Sequence, residues 1–210
     1  MNADLCRRLR YYLVTDSRVD GVADLVARCD AALSGGMTAV QLRVKDWSDR
    51  DLLLAAELLR ELCAQRDTLF VMNDRVDIAL AVGADGAHLG ASDLPVTVAR
   101  RLMGDDAIIG YSPETESDRV AAEAAGASYL GVGPVYTTAT KDDAGEAIGL
   151  DGLRRVVEAT PLPVVGIGGI GVEQARDVLA TGAAGVAIVS AVFMASDPAK
   201  AARRLVEATS

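Results

Sequence analysis

Gly182-Ala-Ala-Gly-Val186 is the stretch whose repetition decides the fold. A glycine ends a helical pattern and an apolar run follows at once. The same join occurs at Gly36-Met-Thr-Ala-Val40, Gly83-Ala-Asp-Gly-Ala87 and Gly126-Ala-Ser-Tyr-Leu130. Glycine just past a helix end can take the left-handed conformation that stops the helix, so each join has a local cause. Eight β-branched or apolar runs read as strands: Tyr11–Thr15, Met37–Val44, Thr68–Met72, Asp85–Leu89, Ala107–Gly110, Ser128–Val132, Pro163–Ile167 and Gly185–Val189. Amphipathic stretches lie between them, such as Leu52–Cys63, with leucines at i+3 and i+4, and Val172–Ala180. The glycine joins precede strands two, four, six and eight, a recurrence that reads as quarter-barrel units. The alternation therefore predicts an α/β chain forming one domain over residues 1–210, a (β/α)8 TIM barrel in preference to an open sheet.

Composition bounds the function. Half of the residues are hydrophobic but only 4% are aromatic, which suits helices packed on a buried parallel sheet. A net charge of −9 argues against broad binding to nucleic acid or anionic membranes, because both need a positive surface. An anionic ligand must then find a local basic pocket. Cys6, Cys29 and Cys63 are odd in number and lack C-x-x-C spacing, so neither a disulfide framework nor a zinc site is indicated and a reducing cytoplasm fits. Met1–Arg10 lacks the apolar core of a signal peptide, and no run of about 18 apolar residues occurs.

In a barrel of this kind the active site lies at the C-terminal ends of the strands, and polar residues collect there. In Gln41-Leu-Arg-Val-Lys45 the strand period of two turns Gln41, Arg43 and Lys45 to one face, where two cations await a polyanion; the bland alternative is a solvated strand end. Asn73-Asp74-Arg75 follows the third strand and Asp93 lies shortly after the fourth. Two carboxylates beside Arg43 and Lys45 read as a seat for Mg2+ and pyrophosphate, since Mg2+ takes one or two carboxylates together with phosphate oxygens and water. Alternatively Asp74 and Asp93 are N-caps of the helices that follow. Ser112 closes the fifth strand.

Pro163-Val-Val-Gly-Ile-Gly-Gly-Ile170 places Gly168 and Gly169 between a buried strand and a helix start, and Val186-Ala-Ile-Val-Ser190 follows one unit later. Backbone N–H groups in such a turn bind phosphate; a tight turn without a ligand is the alternative. Gly133-Pro-Val-Tyr-Thr-Thr-Ala-Thr-Lys141 opens a stretch to about Gly149 with few core-like residues, read as a lid whose threonines and lysine cap a phosphorylated ligand; a plain surface loop is the alternative. His88 is the one histidine, which sets aside Ser-His triads and multi-histidine metal sites. It reads more simply as a hydrogen-bonded residue of the barrel core.

Taken together, these blocks resemble the thiamine-phosphate synthase family from Tyr11-Tyr-Leu-Val-Thr-Asp16 to Ser190, nearly the whole chain. They are Gln41-Leu-Arg-Val-Lys45, Asn73-Asp-Arg75, Gly83-Ala-Asp-Gly-Ala-His-Leu-Gly90 with Asp93, Tyr129-Leu-Gly-Val-Gly-Pro-Val-Tyr136 with Thr140-Lys141, and Ile167-Gly-Gly-Ile170. The resemblance implies that Gln41, Arg43, Lys45, Asn73, Ser112 and Lys141 hold a pyrimidine pyrophosphate, with Arg43, Lys45, Ser112 and Lys141 acting in catalysis. It implies Asp74 and Asp93 for Mg2+, and Thr137, Thr138, Gly168, Gly169, Val189 and Ser190 for a thiazole phosphate. It further implies a dissociative substitution in which pyrophosphate leaves and the thiazole nitrogen captures a pyrimidine methylene cation, without a protein nucleophile. The expected partners are these phosphorylated small molecules, with no nucleic acid and no membrane, and a homodimer is compatible with the chain.

Two positions depart from the family pattern. Ala91 stands where many relatives have Gln, and Pro113-Glu114 where many have a small residue and His. Competing readings are the related thiazole tautomerase, which needs a proton-transfer group but no metal-pyrophosphate seat, and a non-catalytic sensor of thiazole or thiamine phosphate. Retention of Arg43, Lys45, Asp74, Asp93 and Lys141, with no His beside Ser112 in sequence, favours the synthase.

Overall fold

The computed structural model describes residues 2–138 and 145–209. In chain order these form α1 (Ala3–Arg8), β1 (Tyr11–Val14), α2 (Gly21–Ser34), β2 (Ala39–Leu42), α3 (Asp49–Gln65), β3 (Leu69–Asn73), α4 (Val76–Val82), β4 (Gly86–Gly90) and α5 (Val96–Met103). They continue through β5 (Ile108–Ser112), α6 (Glu116–Ala124), β6 (Tyr129–Val132), α7 (Gly149–Ala159), β7 (Val164–Ile167), α8 (Val172–Ala180), β8 (Gly185–Ile188), α9 (Ser190–Phe193) and α10 (Pro198–Thr209). Each strand pairs in parallel with the next, and Tyr11, Tyr12 and Leu13 of β1 align with Val186, Ala187 and Ile188 of β8 to close the barrel. The (β/α)8 expectation holds, and each of the eight expected strands overlaps an observed one.

The glycine joins behave as their sequence predicts. Gly36, Gly83, Gly126 and Gly182 all have φ between 64° and 108°, the left-handed region that ends a helix without a Cβ penalty.

The strand period of two splits the apolar residues into two layers. Leu13, Val40, Phe70, Ala87, Ile109, Leu130, Val164 and Val186 face outward and pack with helix residues such as Leu25, Leu59 and Val178. Tyr12, Ala39, Leu69, Val71, Tyr129, Val165 and Ala187 fill the interior, joined at the bottom by Leu5 and Leu9 of the α1 region. The charged sequence of residues 1–10 conceals this plug, because only Leu5 and Leu9 of it turn inward.

Strand β2 is two residues shorter at each end than its sequence pattern. Beyond Leu42 the ladder is replaced by one side chain: the Arg43 N–H donates to Thr15 Oγ1 (2.8 Å) and the Thr15 hydroxyl donates to the Arg43 carbonyl (3.1 Å). Arg43 and Lys45 therefore leave the sheet at its rim instead of continuing its pleat.

Gly185 shows how tightly the plug is docked, since a Cβ there would collide with the Leu9 carbonyl oxygen and approach that of Arg10. Gly185→Ala should destabilise the protein by about 2–3 kcal/mol, the usual scale of overpacking a filled core. For a chain of this size that lowers the melting temperature by roughly 5–10 °C, measurable by calorimetry.

Candidate functional site

The polar residues expected at the C-terminal rim are delivered by the strand ends. Gln41 points into the barrel from β2, and its Nε2 donates to the Tyr12 hydroxyl at 3.1 Å. Asn73 ends β3, and the chain then turns through Asp74, whose φ of 59° is uncommon for a residue with a Cβ. The Asp74 N–H donates to the His88 carbonyl (2.9 Å), which anchors this turn to β4. Strained backbone of this sort persists where the surroundings over-determine it, and it fixes where the carboxyl stands.

Asp93 comes back toward the same place, its Oδ2 accepting from the Gly90 N–H at 2.7 Å, and its carboxyl hydrogen-bonds that of Asp74. Neither is a helix cap: α4 and α5 begin after Arg75 and Pro95 without a side-chain cap bond. Burial, then the hydrogen bond and charge of Asp93, push Asp74 up to about 6, while Lys45 and Arg43 pull the other way. Burial and the neighbouring Asp93 carboxyl thus favour the protonated form of Asp74, and Lys45 and Arg43 stand near enough to oppose them.

His88 carries the interior away from this pair. Its Nε2 is 2.8 Å from Ser112 Oγ and its Nδ1 is 3.0 Å from the Tyr129 hydroxyl, which lies 2.7 Å from the Tyr12 hydroxyl. Burial lowers His88 to about 4, with the Asp93 charge opposing. Burial likewise raises Tyr12 to about 12, so the two tyrosines stay protonated. The core role expected for His88 holds, but one inference from sequence needs correction. A histidine does stand beside Ser112, reaching it from β4 across the strand pairing instead of from the residues that follow it, so that criterion no longer separates synthase from tautomerase.

The opposite side of the rim is built by glycines. Gly168 and Gly169 have φ of 97° and 65°. A Cβ on Gly169 would lie 2.7 Å from the Thr137 carbonyl oxygen and 2.8 Å from the Tyr136 Cβ, and one on Gly168 would lie 2.6 Å from the Pro134 Cα. The diglycine thus lets the loop after β6 lie directly on the end of β7, which brings Thr137 and Thr138 to the phosphate-type turn. Val189 and Ser190 follow β8 alongside, where the short helix α9 begins. Thr140 and Lys141, and with them the middle of the expected lid, lie outside the described residues.

Sequence reasoning missed Tyr12, Tyr129 and Asp16. All three are buried; the tyrosines join Gln41 to His88, and Asp16 pairs with Arg18 within the field of Arg43. The available signal was a tyrosine at an inward strand position, which a pattern of apolar residues hides.

Comparison with known proteins is consistent across the chain. The family model described as thiamine monophosphate synthase matches residues 11–192. A thiamine biosynthesis bifunctional protein of Symbiobacterium thermophilum is 54% identical over 85% of this chain, which spans only 37% of that longer relative. A thiamine-phosphate synthase of Moorella thermoacetica is 47% identical over 93% of both chains. The solved structure of a thiamine phosphate pyrophosphorylase from Pyrococcus furiosus superposes with a TM-score of 0.87 at 41% identity, covering 98% of this chain and 97% of that one.

The raised carboxyl of Asp74 gives a pH test. A carboxyl whose pKa is raised by folding contributes stability that is complete below its unfolded value near 4 and is lost as pH climbs through about 6. In EDTA, Asp74→Asn should therefore stabilise the protein at pH 7.5 and not at pH 4.5. After solvent screening the gain is on the order of 1 kcal/mol by urea unfolding. Equal effects at both pH values would show that Asp74 is not held above its ordinary carboxyl value.

Proposed function

We infer the chemistry from one premise: the chain belongs to the thiamine monophosphate synthase family and is an enzyme of thiamine biosynthesis, a transferase that makes thiamine phosphate. Its substrates on this reading are 4-amino-5-hydroxymethyl-2-methylpyrimidine pyrophosphate and hydroxyethylthiazole phosphate, and pyrophosphate is the second product. The observation that carries the reading is the Asp74–Asp93 carboxyl pair under Arg43 and Lys45.

Mg2+ fits this pair. Two hard oxygen donors crowded together gain from a dication between them, and two carboxylates with phosphate oxygens are a usual Mg2+ environment. When bound, the metal would neutralise charge building on the leaving pyrophosphate. Arg43 and Lys45 bind the same pyrophosphate as fixed cations, while Gln41, Asn73 and Ser112 orient the pyrimidine end. Lys141 belongs with this group on the resemblance alone.

Thr137, Thr138, Gly168, Gly169, Val189 and Ser190 hold the thiazole phosphate so that its ring nitrogen faces the pyrimidine methylene carbon. The carbon–oxygen bond to pyrophosphate breaks, its electron pair leaves with the pyrophosphate, and the thiazole nitrogen supplies the pair for the new carbon–nitrogen bond. No protein base or nucleophile is consumed. What the protein contributes is alignment and electrostatic stabilisation, which agrees with a site rich in anion binders. A cytoplasmic location accords with three free cysteines, two of them fully buried.

An assay of thiamine phosphate formation from the two substrates, with and without Mg2+, tests the reading. Asp93→Ala should retain thiazole-phosphate binding, lose Mg2+-dependent pyrophosphate binding and regain part of its activity at raised Mg2+. Lys45→Ala should slow the single-turnover rate by about 10–100-fold, the scale of one lost charge contact in the transition state. Full turnover of both variants at low Mg2+ would remove the metal-pyrophosphate seat.

Gly169→Val addresses the other half-site. Its side chain would push against the Tyr136–Thr137 backbone and strain a residue at φ 65°, so binding of thiazole phosphate should weaken at least tenfold while the pyrimidine substrate binds as before. Equal loss for both, measured by calorimetric titration, would indicate misfolding instead.

A further inference from the structure

Three side chains between Gln41 and Ser112 complete one unbroken hydrogen-bonded series across the barrel. The links are Gln41 Nε2 to Tyr12 OH (3.1 Å), Tyr12 OH to Tyr129 OH (2.7 Å), Tyr129 OH to His88 Nδ1 (3.0 Å) and His88 Nε2 to Ser112 Oγ (2.8 Å). Tyr12, Tyr129 and Gln41 are buried, and no buried side-chain polar atom among the described residues lacks a partner. The series also explains two glycines whose backbone needs no special conformation. A Cβ on Gly110 would collide with Tyr129 and His88, and one on Gly131 would lie 2.9 Å from the His88 Cε1 and 3.1 Å from Ser112 Oγ. Both strands leave out a side chain where the series passes.

Counting protons gives this series a direction. An amide nitrogen donates and does not accept, so Tyr12 OH receives a hydrogen bond from Gln41 and must send its own proton to Tyr129. Tyr129, having accepted, must send its proton to His88 Nδ1. The Nδ1 atom is then an acceptor, so the imidazole carries its proton on Nε2 and donates it to Ser112 Oγ. A cationic imidazole is incompatible with the same count. With donors at both ends, Gln41 and His88, one of the two tyrosine protons between them would have no acceptor in a buried site. The Ser112 hydroxyl has accepted from His88, and its proton is left to point out of the barrel.

We propose that Gln41, Tyr12, Tyr129 and His88 form a polarised positioning chain. It locks His88 in the Nε2–H tautomer and makes the Ser112 hydroxyl a dedicated hydrogen-bond donor to an acceptor atom of the pyrimidine pyrophosphate. The part concerning the ligand rests on the reading above that Ser112 contacts that substrate. His88, Tyr129 and Tyr12 act through Ser112 and are positioning residues. Without the chain, Ser112 could turn to donate inward to His88 and would meet the substrate with its lone pairs.

The single histidine makes the test direct. Untagged protein labelled with 15N-histidine shows one imidazole, whose two nitrogen resonances report which atom carries the proton. The expected result for the ligand-free protein is the Nε2–H tautomer alone. In Gln41→Glu, which alters neither neighbour of His88, the carboxylate accepts where the amide donated, so the Tyr12, Tyr129 and His88 bonds reverse and the Nδ1–H tautomer should appear. The reversal turns the Ser112 proton inward, so Gln41→Glu should bind the pyrimidine pyrophosphate about tenfold more weakly than Gln41→Leu, which removes the amide without supplying an acceptor, the effect of losing one oriented hydrogen bond of ~1.4 kcal/mol, while the Kd for thiazole phosphate stays unchanged.

An Nδ1–H tautomer in the parent protein overturns the proposal and needs no variant that might fail to fold. Equal pyrimidine affinity of Gln41→Glu and Gln41→Leu, with the tautomer reversed in the former, overturns the positioning role. Failure of the functional reading is separable from both, because it would appear as absence of thiamine phosphate from parent protein whose His88 signal is as expected.

Discussion

The hydrogen bond between Tyr12 and Tyr129 spans the barrel from β1 to β6, and the interior is arranged around it. A closed eight-stranded barrel has just enough inner space for side chains, so whatever polar groups enter must satisfy one another. Two tyrosines meeting edge to face, with ring centroids 6.0 Å apart, fill much of the middle and leave two hydroxyls that need partners. Gln41 and His88 supply them, and through His88 the demand reaches Ser112 at the rim. Packing in the middle of the barrel thereby governs the orientation of groups that face a ligand.

A second constraint is electrostatic. The chain carries 30 acidic against 21 basic residues, yet its expected substrates are polyanions. The conflict is met locally. Arg43 and Lys45 are released from the β2 pleat by the Thr15 clamp and stand at the rim, where their charge reaches Asp74. The acidic pair beneath them is a poor site for an anion by itself and a good one for a dication that carries an anion. Acidity elsewhere on the surface leaves the two rim cations as a local exception to the negative charge of the chain.

The glycines divide by physical role. Those at 36, 83, 126 and 182 end helices through positive φ. Gly110 and Gly131 have no such need and are small because an aromatic or imidazole ring occupies the space beside them. Gly168 and Gly169 combine both roles, turning the chain after β7 and letting the Pro134–Thr137 loop rest on it. Strand β5 and strand β6 would lose the buried chain, and β7 the close approach of the Pro134–Thr137 loop, if these positions carried side chains.

The amino-acid sequence by itself determined the barrel, since helix stops and the period-two pattern are local properties written in successive residues. It also determined which residue types gather at the strand ends: the Gln41–Lys45 run, the two aspartates and the diglycine are each visible because strand direction orders the rim. Tertiary structure alone decided how those groups face one another. That Asp74 and Asp93 face each other instead of capping helices follows from a left-handed turn tied to β4, and no local pattern encodes it. That His88 touches Ser112, and that Tyr12 and Tyr129 bridge them to Gln41, depends on contacts between strands far apart in the chain. A tyrosine on an inward strand position looks like any core residue until the opposite wall of the barrel is in place, because a hydrogen bond requires both partners and only closure brings them together.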